Sequence, residues 1–132
     1  MLQTLDAAFV DLRFVYPDNG AVDQLDEALT PRTLNETNRL KLAAHPANAR
    51  RKRALRPGTT NTVYVSDCDT TALLYLGIAH QWGLPLRMVL IPSKNRRPGH
   101  VFIRWREGDR YLNWETLFGR ESTDIEYTKE WH

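Results

Sequence analysis

The fold of this chain is decided by residues 66–85, which read SDCDTTALLYLGIAHQWGLP. Residues 70–82 are mostly good helix formers, and their apolar side chains recur every three or four positions. Gly83 is the residue type that most often ends a helix, and Pro85 cannot continue one. The sequence therefore predicts one long helix, with Cys68 immediately before it.

Extended segments are predicted after this helix. Residues 86–91 form a compact apolar run that Pro92 ends, and residues 100–105 and 111–115 are rich in aromatic and β-branched side chains. The tetrapeptide REGD at residues 106–109 separates the last two segments and predicts a hairpin turn. We therefore expect an antiparallel sheet that follows the helix in the chain.

The length and the first part of the chain complete the predicted architecture. A chain of 132 residues is the size of one ordinary domain, so we predict a single domain over residues 1–132. Apolar residues at helical spacing, such as Leu2, Leu5 and Phe9, indicate a helical N-terminal region over residues 1–58. Helices together with an antiparallel sheet predict the α+β class.

Composition limits the cellular compartment and the classes of partner that we expect. Lys and Arg number 18 against 16 Asp and Glu, a net charge of only +2. One Cys cannot form an internal disulfide, which favours a reducing compartment. The longest apolar run, residues 72–79, is far shorter than the roughly 20 residues that cross a bilayer, and no basic-then-apolar leader follows Met1. We expect a cytoplasmic protein without a membrane partner, and the sequence does not predict its oligomeric state.

A short basic run, Arg50-Arg51-Lys52-Arg53, is the main cationic feature. Because aromatic residues are not interleaved with it, we interpret it as a solvated face, so nucleic acid is a disfavoured partner. A nucleic-acid interface over residues 50–56 is the weaker alternative. His45 and His80 have no partners at metal-ligand spacing, so we predict no metal and no cofactor.

Cys68 is the first candidate for chemistry. The free N–H groups and the positive dipole end of a helix N-terminus favour an anion such as a thiolate. Asp67 and Asp69 flank the thiol, and either carboxylate would raise the thiol pKa if it pointed at the sulfur. Asp69 is therefore included among the candidate pocket residues. The alternative interpretation is that Cys68 is a small buried apolar residue.

His100 and Glu115 are the second candidate pair. If residues 106–109 form the turn, His100 lies directly opposite Glu115, and their side chains share one face of the sheet. A carboxylate in that position would accept a hydrogen bond from the imidazole and orient it. Asn113 lies on the same face, so a different register would make Asn113 the partner instead.

The order of these residues resembles that of the transglutaminase-like branch of the papain-like cysteine enzymes. The resemblance rests on a sequence pattern spread over four segments. These are CDTTALL at 68–74, GLPLR at 83–87, GHVFI at 99–103 and LNWET at 112–116. It implies a central helix that begins at the Cys and packs on an antiparallel sheet, with Cys68 as nucleophile, His100 as general base and Glu115 as the orienting residue.

The sequence also departs from the family pattern. The third position reads Asn-Trp-Glu where the family usually has Asp, which keeps both Asn113 and Glu115 as candidates. The first 65 residues match no part of the pattern, and Asn61 is the candidate for the second oxyanion donor.

These residues together predict a thiol hydrolase, a protease or amidase that forms a thioester acyl-enzyme. A protein or peptide would supply the amide, and water is the preferred acceptor because it needs no second binding site. Two alternatives stay open: transglutaminase-type transfer to an amine, and a non-catalytic binding module on the same scaffold.

Overall fold

The computed structural model describes residues 1–17, 22, 24–57, 62–93 and 99–131. For residues 129–131 it describes the backbone alone. The chain combines helices with sheets, which confirms the α+β class. It divides into two compact units, Met1–Thr70 and Thr71–His132, and the expectation of one domain stays a prediction. None of the helices in the described part is both long and apolar enough to span a bilayer.

The first unit combines short helices with a small sheet. Its helices are α1 (Leu2–Asp11), α2 (Leu25–Ala28), α3 (Glu36–Ala44) and a 3₁₀ helix (Pro46–Leu55). Its strands are β1 (Phe14–Val15), β2 (Arg32–Thr33) and β3 (Thr62–Val65). β3 lies in the centre of the sheet, parallel to β1 and antiparallel to β2.

The N-terminal region is helical only in part, which corrects the prediction for residues 1–58. β1 and β2 both fall inside it. Each has only two residues, too few to show the alternation that identifies a strand in a sequence. They form because β3, much later in the chain, supplies their hydrogen-bonding partners. The helical spacing of Leu2, Leu5 and Phe9 is confirmed, because all three lie in α1 and are buried there.

The second unit contains an antiparallel sheet and a C-terminal helix. The helix α4 (Cys68–Trp82) begins at the end of the first unit and continues into the second. The strands are β4 (Leu86–Ile91), β5 (His100–Glu107), β6 (Arg110–Glu115) and β7 (Arg120–Ser122), in that order across the sheet. The helix α5 (Asp124–Trp131) follows them.

The predicted end of α4 is confirmed. Gly83 has a φ of +66°, the left-handed conformation that glycine adopts without strain. The N–H of Leu84 then donates to the carbonyl oxygen of Ala79 at 2.9 Å, which satisfies one of the last helical carbonyl groups. The chain is thereby redirected into β4.

The hairpin between β5 and β6 is confirmed, but its predicted register is wrong. The turn contains only Gly108 and Asp109, because Gly108 adopts a φ of +60° and lets the strands continue to Glu107 and Arg110. Trp105 consequently pairs with Leu112 instead of Arg110.

This correction moves every pair by two residues along β6. Arg104 now lies opposite Asn113, and the ladder between β5 and β6 ends at the pair Ile103–Trp114. Side chains alternate between the faces of a strand, so a shift of two residues keeps His100 and Glu115 on the same face.

α5 packs on that same face of the sheet. Tyr127 forms a buried apolar cluster with Ile91 and Phe102. Its ring stacks on the Phe102 ring with a centroid separation of 4.0 Å and an interplanar angle of 8°. The sheet face that carries His100 is therefore covered in part by the C-terminal helix.

Close backbone contact at Gly99 fixes the start of β5. A Cβ atom on residue 99 would lie 2.6 Å from the carbonyl oxygen of Ile91 and 3.2 Å from the backbone nitrogen of Ser93. Both neighbours belong to the backbone, which cannot rotate away as a side chain would. Only glycine lets the chain enter β5 this close to the end of β4.

Replacing Gly99 with Ala is therefore expected to lower the free energy of unfolding by about 1–3 kcal/mol, the usual cost of forcing extra volume into a packed site. Urea titration followed by circular dichroism measures this change. Gly77→Ala is the matched control, because a Cβ on Gly77 meets no atom within 4 Å. That variant should keep or raise stability, since alanine is the better helix former. Equal stabilities for the two variants would contradict the close-contact argument.

Candidate functional site

Cys68 is the first residue of α4, which begins two residues before the predicted helical run 70–82. Asp67 caps the helix: its Oδ1 accepts from the N–H groups of Asp69 at 3.0 Å and Thr70 at 3.2 Å. Its Oδ2 accepts from the N–H of Val22 at 2.9 Å. Both oxygens of Asp67 are thus occupied by backbone donors, so this carboxylate serves to start the helix.

Asp69, unlike Asp67, places its carboxylate against the Cys68 thiol. The thiol of Cys68 donates to Oδ1 of Asp69 at 3.7 Å, and both residues are partly buried. A carboxylate in contact with a thiol favours the neutral thiol over the thiolate. The helix N-terminus acts in the opposite sense, because its dipole favours the anion. Cys68 therefore lies under two opposing electrostatic influences.

His100 and Glu115 form a buried hydrogen bond in the second unit. The imidazole Nε2 lies 2.7 Å from Oε2 of Glu115. The two residues are only 3% and 6% exposed, so the bond is shielded from water. His100 begins β5 and Glu115 ends β6, and the two are not directly opposed in the ladder. Their side chains meet diagonally across the sheet, a distance that long side chains can bridge.

Two further donors hold the Glu115 carboxylate. The hydroxyl of Tyr127 donates to Oε2 at 2.8 Å, and the N–H of Leu117 donates to Oε1 at 3.2 Å. Burial, followed by the nearby charge of Glu115, raises the pKa of Tyr127 well above its usual value. The tyrosine therefore stays protonated and remains a donor at neutral pH.

Tyr127 is the residue that sequence reasoning missed. The available signal was the capping box Thr123-x-x-Glu126, which predicts a helix start. The structure shows both of its bonds, from the N–H of Glu126 to Oγ1 of Thr123 at 3.1 Å and from the N–H of Thr123 to Oε2 of Glu126 at 2.9 Å. The capping box predicts the start of α5, but it does not indicate which side chain of that helix contacts the sheet.

Asn113, the reserve partner for His100, is engaged elsewhere. Its side-chain oxygen accepts from Nε of Arg104 at 2.9 Å, and its amide donates to Oδ1 of Asp124 at 2.6 Å. The hydroxyl of Tyr111 donates to the other oxygen of Asp124 at 2.6 Å. The corrected register explains this placement, because it brings Asn113 opposite Arg104. The structure thus brings Glu115, and not Asn113, to the imidazole.

The remaining sequence candidates divide as follows. Asn61 lies outside the described residues. Cys68 and Asp69 belong to the first unit, whereas His100, Glu115 and Asn113 belong to the second. Within the residues that the structure describes, no group of His, Cys, Asp and Glu side chains is arranged to hold a metal ion.

The basic run at residues 50–53 is solvent-exposed at three of its four positions, as the sequence predicts, and Arg51 is the exception. Arg50 forms an ion pair with Asp6, and its Nη2 lies 2.6 Å from Oδ1. Arg51 is only 4% exposed, and its guanidinium lies 5.2 Å from the centre of the Tyr16 ring. Arg50, Lys52 and Arg53 are exposed, and Arg51 is the only buried residue of the run.

Comparison of the chain with protein-family models, curated proteins and solved structures finds no match.

Asp124 provides a pH-dependent test of the polar cluster around Asn113. Hydrogen bonds from Tyr111 and Asn113, together with the charge of Arg104, hold the pKa of Asp124 below its usual 3.8. A lowered folded-state pKa stabilises the fold above about pH 4, and this contribution is lost as the pH falls through the lowered value. Asp124→Asn should therefore be less stable than the natural protein at pH 7, and the difference should shrink below pH 4.

Urea unfolding at a series of pH values measures this dependence. Glu121→Gln is the control, because it removes an exposed carboxylate from the adjacent strand β7. The control should follow the natural protein at every pH. A stability loss in Asp124→Asn that is constant down to pH 2 would contradict the assignment.

Proposed function

We propose that this chain is a thiol hydrolase, a protease or amidase with a transglutaminase-like, papain-like core. In this proposal Cys68 is the nucleophile, His100 the general base and Glu115 the residue that orients the imidazole. The buried 2.7 Å hydrogen bond between His100 and Glu115 is the observation that carries it. A protein or peptide supplies the amide, and the single thiol suits a cytoplasmic location.

The burial of this pair argues for a function beyond stability. Removing an imidazole and a carboxylate from water costs free energy, and apolar residues of similar volume often stabilise a fold equally well or better. The carboxylate is nevertheless kept among three donors, from His100, Tyr127 and Leu117. A carboxylate fixed by several donors beside an imidazole is the arrangement that orients a general base in covalent catalysis.

The hydrogen bond also assigns the two imidazole nitrogens. Because Nε2 of His100 faces a carboxylate oxygen, Nε2 carries the proton, and the neutral ring has its lone pair on Nδ1. In the proposed acylation step, Nδ1 takes the proton of the Cys68 thiol as the sulfur attacks the amide carbon. The same proton then passes to the leaving amine, and a thioester is formed. In this proposal, the hydrogen bond from Nε2 to Glu115 stabilises the imidazolium.

Water completes the reaction in a hydrolase. His100 removes a proton from water as its oxygen attacks the thioester, and the proton returns to the departing sulfur. The products are a carboxylic acid and the free thiol. If an amine attacks instead, the product is a new amide, which is the transglutaminase-type alternative.

One observation favours the non-catalytic alternative. The contact between the Cys68 thiol and Asp69 stabilises the neutral thiol. In a binding module on the same scaffold, this thiol would be inert and the His100–Glu115 pair would only stabilise the sheet. Thiol reactivity therefore separates the two functions.

Alkylation by iodoacetamide at about pH 6 tests the proposal, and Cys68 is the single Cys, so the labelled site is unambiguous. Cys68 is expected to react faster than free cysteine, and His100→Ala to slow the reaction by about a hundredfold, the usual contribution of a positioned base. Glu115→Gln should slow it less. His80→Ala is the matched control, because it removes an exposed histidine from α4 and should leave the rate unchanged.

The acceptor is identified by mass spectrometry after incubation with an activated acetyl ester. A thiol hydrolase shows one transient acetyl group on Cys68 that water removes, whereas an acyltransferase passes the group to an added primary amine. An unreactive thiol, or a rate that His100→Ala does not alter, would refute the catalytic proposal and support the binding module.

A further inference from the structure

The environment of Tyr127 supports a more specific inference about the His100–Glu115 pair. Tyr127 is 5% exposed, and its ring is clamped against Phe102 at a centroid distance of 4.0 Å. The His100 ring is a second aromatic neighbour, with its centroid 6.0 Å from that of Tyr127 and its plane tilted by 34°. Tyr127 has therefore no freedom to point its hydroxyl elsewhere without leaving this packing.

The hydroxyl is directed at the same oxygen that the imidazole uses. Oε2 of Glu115 is 2.8 Å from the Tyr127 hydroxyl and 2.7 Å from Nε2 of His100. Oε1 is held separately by the N–H of Leu117. Donors on both oxygens fix the plane of the carboxylate as well as its position, because neither oxygen can rotate without losing a bond.

A hydroxyl in this place does more than fill space. Phenylalanine would stack on Phe102 equally well, so the stacking does not require the oxygen atom. The oxygen adds a hydrogen bond to Glu115, the group that orients His100, and it also interacts with the Ser122 side chain. The bond to Glu115 acts on the direction of that carboxylate.

We propose that Tyr127 is a positioning residue, which acts through Glu115 to hold the imidazole of His100 in one orientation. The catalytic consequence rests on the proposed function, whereas the positioning itself does not. Without the hydroxyl, the carboxylate loses one of its restraints and the bond to Nε2 opens more often. The imidazole then spends less time in the orientation that proton transfer needs.

The experiment uses Tyr127→Phe, which keeps the ring and removes only the hydroxyl. The proton on Nε2 of His100 is observed by nuclear magnetic resonance, and its exchange with solvent should become about tenfold faster, as expected for losing one hydrogen bond to a charged group. Where the protein hydrolyses a substrate, kcat should fall roughly tenfold with KM unchanged, because only orientation is lost.

Tyr111→Phe is the matched control. It also removes a hydroxyl that donates to a carboxylate in the second unit, at 2.6 Å from Asp124. Both variants should lose some stability, but only Tyr127→Phe should alter the His100 signal. A purely structural role for Tyr127 predicts equal behaviour of the two variants.

A double variant tests the route through Glu115. In a Glu115→Ala background, removing the Tyr127 hydroxyl should no longer change the His100 exchange rate, because the acceptor that links the two side chains is absent. An unchanged His100 signal in Tyr127→Phe would overturn the proposal. An inert thiol together with a changed His100 signal would refute the proposed function and leave the positioning role standing.

Discussion

The hydrogen bond between His100 and Glu115 is the interaction on which the arrangement of the second unit depends. A carboxylate that is 6% exposed must be compensated by donors, since an uncompensated buried charge is strongly destabilising. The donors come from three places in the chain: the start of β5, the segment after β6, and α5. The hairpin register, the position of α5 and the start of β5 after Gly99 therefore determine which donors reach this carboxylate.

Much of this architecture is readable from the sequence. α4 was predictable because its apolar residues follow helical spacing and Gly83 marks its end. β4 has the bounds that its apolar run predicts. The β5–β6 register was not predictable, because REGD suits both a four-residue turn and longer strands that meet at Gly108 and Asp109. β1 and β2 are too short to have a pattern of their own.

The sequence predicts that His100 and Glu115 are partners, but it does not predict which other side chains surround them. His100 and Glu115 share a face in any register shifted by an even number of residues, so their contact survives the error in the turn. The partner of Asn113 changes with the same shift, because Arg104 moves opposite to it. The roles of Asp67 and Asp69 depend on side-chain direction, and that of Tyr127 depends on tertiary packing. Neither side-chain direction nor tertiary packing can be predicted from the local sequence.

The proposed function requires His100 to act on the Cys68 thiol, and the ultraviolet absorbance of the thiolate measures whether it does. With one Cys in the chain, absorbance near 240 nm measured against a Cys68→Ser blank reports this sulfur alone. If His100 removes the thiol proton, the absorbance persists into mildly acidic solution and disappears there when His100 is replaced by Ala. Absorbance that develops only in alkaline solution, and identically in both proteins, would contradict it.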